Sequence, residues 1–149
     1  MTKALFIPAT GEPRTITLPK ENAHTVIHDL VGGWFDGVGI AGNAVTMYVH
    51  DEGLLIGLEP NVTATVLYGH PIAGDVLLVG TLNSKGESDG YDYDLPDFFF
   101  TADFFARATI VNNEESNRAM LAEQIAKMDL TPKFRAMTED EFSAWLGGK

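Results

Sequence analysis

Cysteine is absent from the 149-residue chain, which excludes a disulfide framework, a thiolate metal site and a cysteine nucleophile. Long apolar runs are also missing. The short run at 4–7 is the one apolar run near the start, and no later run approaches the ~18–20 residues that a membrane helix needs. We therefore expect a soluble cytoplasmic protein that has no membrane partner.

Basic residues are scarce in the middle of the chain. Residues 21–106 carry 13 acids against the single base Lys85, and they account for the formal net charge of −11. Such a field repels nucleic-acid phosphates and attracts basic partners over about one Debye length, ~8 Å at physiological salt. We expect no direct binding of nucleic acid. Solubility is the simpler explanation of the charge, and it stays open beside partner recognition.

Apolar periodicity predicts an α+β fold. Hydrophobic residues make up 45% of the chain and charged residues 21%, as in ordinary globular domains. β-Branched and aromatic segments predict strands, and apolar residues at i, i+3, i+4 and i+7 predict helices. The expected architecture is a mixed, mostly antiparallel sheet of about five strands with two helices. The expected strands are 3–7, 14–18, 34–40, 44–50 and 75–82, and the expected helices are 20–31, ending at Gly32, and 61–68.

The sequence predicts three successive parts. They are an α+β domain over residues 1–82, an acidic loop or linker over 83–96 and a helical extension over 97–149. Five phenylalanines fall between positions 98 and 105, and they need a core or a partner to cover them. The extension is expected to pack on the first part through this segment together with Leu121, Ile125 and Trp145.

Within the extension, Asn113 is expected to cap the start of a helix, because Glu114 and Glu115 follow it as acids of a first turn.

The first half of the chain contains a series of short apolar and glycine-containing motifs. They are Ala4-Leu5-Phe6-Ile7-Pro8-Ala9 with Gly11, Leu30-Val31-Gly32-Gly33-Trp34, Val49-His50-Asp51-Glu52-Gly53, Leu58-Glu59-Pro60-Asn61, Leu67-Tyr68-Gly69 and Pro71-Ile72-Ala73-Gly74-Asp75-Val76-Leu77-Leu78-Val79-Gly80. In these motifs and their order, the chain resembles the phage and actinobacterial family called domain of unknown function 3846. The resemblance covers about residues 3–81 and implies no catalytic residue. It implies a protein made by a phage inside its actinobacterial host.

An acidic tract with two tyrosines is the best candidate for a functional site. Carboxylates steer a basic partner toward the surface, and tyrosines supply rigid aromatic area for an interface. A solvated linker is the alternative interpretation. The candidate protein-interaction residues are Glu87, Asp89, Tyr91, Asp92, Tyr93, Asp94 and Asp97.

Other motifs give weaker signals. His24 and His28 stand four residues apart on a predicted helix, a spacing that zinc can bridge, but surface histidines are the simpler interpretation. Residues 37–42 match G-x-G-x-x-G, but a strand is expected after them where a dinucleotide site needs a helix. The acids of the tract lack the glycine of a calcium-binding EF-hand loop. We therefore assign no cofactor and no catalytic residue.

The sequence favours a non-enzymatic phage accessory protein that binds and modulates a host protein with a basic surface. Two alternatives stay open. One is a small enzyme or ligand-binding protein that depends on a metal or a nucleotide. The other is a self-associating structural module, in which the phenylalanine-rich segment closes a homodimer.

Overall fold

The computed structural model describes residues 2–42, 44–81 and 93–128, and these form an α+β fold of five strands and four helices. The expected fold class is confirmed. The strands are Thr2–Ile7 (β1), Arg14–Leu18 (β2), Phe35–Ile40 (β3), Val45–His50 (β4) and Val76–Gly80 (β5). The helices are Ala23–Val31 (α1), Val62–Tyr68 (α2), Ala102–Asn113 (α3) and Glu115–Ala126 (α4), and a short 3-10 helix covers Asp97–Phe100.

The strands form one sheet in the order β2-β1-β5-β4-β3, and every neighbouring pair is antiparallel. β5 lies at the centre, and all five of its residues are buried. This burial explains why its sequence is a continuous apolar run, since a strand covered on both faces has no position that favours a polar side chain.

Each face of the sheet carries its own hydrophobic core, because successive side chains of a strand point to opposite faces. Helix α1 covers one face, and α2, the 3-10 helix and α3 cover the other, so the fold has three layers. The buried residues of the α1 core are Ala4, Phe6, Leu18, Ile27, Leu77 and Val79. The core opposite includes Leu5, Ile7, Met47, Val76, Leu78, Ala64, Phe99, Phe104 and Ala108.

Helix α1 starts three residues later than the sequence predicts. Asn22 precedes it with φ of 61°, a left-handed conformation that the helical pattern does not reveal. The predicted end is confirmed, since Gly32 has φ of 85° and donates its N–H to the His28 carbonyl.

The prediction that Asn113 caps a helix start is wrong. Asn113 is the last residue of α3, and α4 begins at Glu115 with only Glu114 between the two helices. The side chain of Asn113 bonds instead to the main chain of Gly11, 102 positions away. No local pattern records such a partner.

The phenylalanine-rich segment is largely covered by the fold. Phe99 and Phe104 are buried under the sheet, while Phe98 is 63% exposed. Leu121 is buried and Ile125 half-buried, as expected, and Trp145 lies outside the described residues. The division into three parts at 82 and 96 stays a prediction.

Two buried asparagines join the layers around the loop that follows β1. Asn61, fully buried, donates from Nδ2 to the carbonyls of Ile7 (3.1 Å) and Gly74 (2.9 Å), and its Oδ1 accepts the Ala64 N–H. This side chain therefore caps α2 while tying it to the end of β1.

Asn112, 1% exposed, makes the matching connection from α3. Its Oδ1 accepts the N–H groups of Val62 and Thr63 at the start of α2, and its Nδ2 donates to the Pro8 carbonyl at 2.6 Å. Arg118 of α4 completes the cluster by donating to the carbonyls of Ala9 and Asn112. Three helices are thereby fixed to one loop through main-chain atoms.

We predict that Asn112→Ala lowers the free energy of unfolding by ~1–3 kcal/mol, because it leaves two N–H groups and a carbonyl without their buried partner. Asn113→Ala is the matched control, since Asn113 also makes three side-chain hydrogen bonds but is exposed. It should cost about 1 kcal/mol or less. Urea unfolding measures both, and equal losses would contradict this account of Asn112.

Candidate protein-interaction site

The structure describes three of the seven predicted interaction residues. These are Tyr93, Asp94 and Asp97. The other four, Glu87, Asp89, Tyr91 and Asp92, lie outside the described residues, and for them the prediction stands as the sequence makes it.

Residues 93–95 lie between the ends of β1 and β5, and we call this segment the wedge. The two strands pair directly at residues 5–7 and 76–78. Farther along, Gly80 exchanges two main-chain hydrogen bonds with Tyr93, at 2.7 and 2.9 Å. On the other side, the Leu95 N–H donates to the Lys3 carbonyl at 2.9 Å. The end of the acidic tract is therefore built into the sheet.

Asp94 holds the wedge to β1. Its Oδ1 accepts the Lys3 main-chain N–H at 2.7 Å, across 91 positions of sequence. Leu95, which follows, is 2% exposed, so the wedge is also anchored in the core. Asp94 thus has a structural role that its neighbours in the sequence do not reveal.

Gly80 makes room for this insertion. A Cβ at Gly80 would collide with the main-chain oxygens of Asp94 and Tyr93. The last position of β5 therefore needs glycine because another backbone approaches it closely.

Asp97 and Phe98 lie beside the wedge on the surface. Asp97 is exposed at the start of the 3-10 helix. The ring of Phe98 contacts the rings of Phe99 and Phe104 edge-on, at 5.3 and 5.6 Å between centroids, yet most of it faces solvent. A carboxylate and an aromatic ring are therefore exposed next to each other in the chain.

The described residues between 21 and 81 carry acids and no lysine or arginine. We call this stretch the base-free region. Six of its seven acids are exposed, and Asp75 is half-buried, accepting the Ala9 N–H at 2.8 Å. The exposed acids are Glu21, Asp29, Asp36, Asp51, Glu52 and Glu59.

Most described bases outside this region are already engaged. Three form ion pairs at 3.0 Å, of which Arg118–Glu59 is the one that reaches the base-free region. Lys3 and Arg14 lie over the rings of Phe100 and Phe6, at 4.2 and 4.8 Å from the centroids. Within the described part of the chain, the negative charge of the base-free region is therefore little compensated. The other two ion pairs are Arg107–Asp103 and Lys127–Glu123.

The two candidate metal-binding histidines lie on α1. His24 is exposed, and His28 is half-buried with its ring edge-on to Trp34 at 5.1 Å and its Nδ1 3.6 Å from Asp29 Oδ1. Among residues 2–42, 44–81 and 93–128, no three His, Asp or Glu side chains are grouped closely enough to hold a metal ion. Within these ranges, His28 has the Asp29 carboxylate and the Trp34 indole as neighbours, and the two histidines do not belong to a group of three metal-binding side chains.

The glycine motif at 37–42 spans β3 and the turn that follows it. The next element is β4, a strand, as the sequence predicts. A helix N-terminus, on which a dinucleotide's pyrophosphate would rest, does not follow this motif.

A shallow depression of about 380 Å³ lies where α4 meets the loop before α2. The residue that would attract an anion there is Arg118. The guanidinium of Arg118 already donates hydrogen bonds to two carbonyls and to Glu59, so its Nη1 and Nη2 groups are engaged within the protein. The residues lining the depression include Glu59, Pro60, Asn113, Glu115 and Arg118.

Comparison with known protein families gives a match over most of the chain. A family model described as a domain of unknown function (DUF3846) covers residues 1–105. The chain belongs to the DUF3846 family. The resemblance noted for residues 3–81 is thereby confirmed, and the match extends through the phenylalanine-rich segment. This extension agrees with the structure, because Phe99 and Phe104 complete the core under the sheet.

No curated protein and no solved structure matches this DUF3846 chain. Among its described residues, the helices are too short or too polar to cross a membrane.

We predict that Asp94→Ala destabilises this DUF3846 protein by about 1 kcal/mol, because the Lys3 N–H loses its acceptor and the wedge loses its hold on β1. Asp97→Ala is the matched control. It removes the same charge from an exposed carboxylate and should change the free energy of unfolding by about 0.5 kcal/mol or less. Thermal or urea unfolding measures the difference, and a loss of the same size in both variants would refute the structural role of Asp94.

Proposed function

We propose that this DUF3846 protein is a non-enzymatic phage accessory protein that binds and modulates a basic host protein. It would act in the cytoplasm of the infected bacterium. The observation that carries this proposal is the base-free region, where six exposed acids face solvent with little compensation.

The charge arrangement supports binding of a basic protein surface. A partner with clustered Lys or Arg is attracted before contact, because like-signed charges on one surface add their potentials. Nucleic acid is repelled by the same field. A host protein that normally binds nucleic acid has the complementary basic surface, so the DUF3846 protein would compete with nucleic acid for it.

Exposed aromatic side chains support the same function. Phe98 is 63% exposed and Trp34 is 72% exposed, and each rests edge-on against another ring. Aromatic residues of this kind commonly supply much of the binding energy at protein interfaces, while surrounding charges set the rate and the specificity.

A charge-reversal variant tests the proposal. The double variant Glu21→Lys and Glu52→Lys reverses two exposed acids of the base-free region for which the described residues provide no side-chain partner. It takes the net charge from −11 to −7, since each change adds two charges. The control variant Glu12→Lys and Glu115→Lys makes the same change of net charge at exposed acids outside the base-free region, and it breaks no ion pair among the described residues.

We expect the wild type to retain a host protein from actinobacterial lysate at about 0.15 M salt. With that protein purified, the variant Glu21→Lys and Glu52→Lys should bind at least about tenfold more weakly, a loss of about 1.4 kcal/mol. The control variant should bind within about threefold of wild type, since isolated surface charges contribute little. Equal weakening in both variants would show that only net charge matters, and capture of nothing by folded wild type would reject the proposal.

A further inference from the structure

The sheet has two edge strands, and they differ in how well they are protected. β2 is five residues long, begins with Arg14 and is flanked by Pro13 and Pro19. Charged residues and prolines at an edge prevent another strand from pairing. β3 is six residues long, has no proline and no lysine, and carries Asp36 as its one charge. Among the residues that the structure describes, β3 is therefore the open edge of the sheet.

The hydrogen-bond pattern identifies which main-chain groups of β3 face outward. The Asp51 N–H donates to the Trp34 carbonyl at 3.0 Å. Trp34 and Asp51, which stand opposite each other just beyond the ends of β3 and β4, are therefore a hydrogen-bonded pair of the antiparallel ladder. In an antiparallel pair such positions alternate. Given the register, the N–H and C=O groups of residues 36, 38 and 40 point to β4, and those of Phe35, Gly37 and Gly39 point away from the sheet.

The opposite side of β4 supports the same assignment. Thr81 N–H donates to the Ala44 carbonyl at 3.0 Å, so residues 44, 46 and 48 face β5. Residues 45, 47 and 49 must then face β3, in agreement with the phase deduced above. In the described part of the chain, β3 pairs with β4 alone, and no hydrogen bond is made by the outward groups of Phe35, Gly37 and Gly39.

Two of the three outward positions are glycines, so β3 presents no Cβ to a neighbouring strand at those two positions. Gly37 is crossed by the Tyr48 ring, which would lie 3.2 Å from a Cβ there and which contacts the ring of Phe35. Asp36 and Val38 lie on the other face of the strand, toward α2. A strand added beside β3 therefore meets a carboxylate on one face and the rings of Phe35 and Tyr48 on the other.

Charge decides what kind of strand fits this edge. Asp36 lies on β3 itself. Two more acids lie near Trp34, the residue that precedes β3. Asp51 donates its main-chain N–H to the Trp34 carbonyl, and Asp29 lies beside His28, whose ring contacts Trp34. No lysine or arginine occurs in the base-free region. A second copy of this chain would bring another 11 net negative charges to the same place, whereas a basic segment would be attracted.

We propose that the outer edge of β3 takes up an extended basic segment of a partner protein by strand addition. Main-chain hydrogen bonds to Phe35, Gly37 and Gly39 hold the segment, and a Lys or Arg opposite Asp36 fixes its register. The exposed Trp34 packs on the segment where it passes the start of β3. This inference rests on the proposed function for its class of partner, and it adds the place and the mode of binding.

Amide hydrogen exchange with a synthetic probe tests the inference. The probe is an end-capped peptide in which lysine alternates with valine, and a peptide with glutamate in place of lysine is its control. On binding the lysine peptide, the outward amides of Phe35, Gly37 and Gly39 should exchange at least about tenfold more slowly. The amides of Asp36, Val38 and Ile40, already bonded to β4, should change little. The glutamate peptide should leave all six unchanged.

Two substitutions at Gly39 separate strand addition from surface attraction. Gly39→Pro removes an outward N–H that β4 does not use, a change that an edge strand tolerates. Gly39→Ala adds a side chain but keeps that N–H. We expect the first to weaken binding of the lysine peptide at least about tenfold and the second by about threefold or less. Retained exchange protection of the Val38 amide shows that each variant is folded.

Three results would overturn the inference. The first is binding of the lysine peptide with no change at the outward amides and equal effects of both Gly39 variants; that result leaves charge-driven partner binding intact. The second is no binding of the peptide at millimolar concentration; the proposed function is then judged by capture of the host protein alone. The third is protection of the outward amides in the free protein, which would show that the chain itself or a second copy already covers the edge.

Discussion

The hydrogen bonds of Asn61 and Asn112 are the constraint on which the rest of the structure depends. Both side chains are buried, and both bind main-chain atoms at the loop after β1. The second face of the sheet is covered only if α2 and α3 hold fixed positions against that loop. Because the bonded atoms belong to the backbone, the arrangement specifies where the helices lie as well as how strongly they are held.

Helices cover both faces of the sheet, so a partner would contact the sheet at its edges and ends. The wedge of residues 93–95 closes the sheet at one end, between β1 and β5. Among the described residues the edge at β3 is unpaired, and Asp36 lies on it with Asp29 and Asp51 near its start. The acids that we propose to contact a partner are the six exposed ones of the base-free region, together with Asp97. Asp94, from the same tract as Asp97, also holds the wedge to β1.

The sequence predicts the local elements well and the long-range partners poorly. The buried run of β5, the helical spacing of α1 and the Gly32 cap all follow from neighbours in the chain, and all are observed. The role of Asp94 depends on Lys3, 91 positions away, and that of Asn113 on Gly11, 102 positions away. A single sequence carries no signal for such pairs, so it predicts neither the hydrogen bond of Asp94 to β1 nor the bonds of Asn113 to the loop after β1.

The position of the edge strand has the same limitation. Glycines in β3 suggest a turn or a nucleotide motif when only neighbours are considered, and their meaning appears once the strand order places them beside solvent. Conversely, the acidic character of the middle of the chain is visible from sequence, and the fold adds which acids lack a base. Sequence thus supplies the charge of the candidate site, and topology supplies its shape.

The most direct measurement of the central claim is the salt dependence of binding to the purified host partner. Raising ionic strength from about 0.01 to about 0.15 M shortens the Debye length from about 30 to about 8 Å. If the base-free region attracts a basic surface, the association rate should fall steeply over this range while the dissociation rate changes less. An association rate that is independent of salt would contradict the claim that these acids recognise the partner.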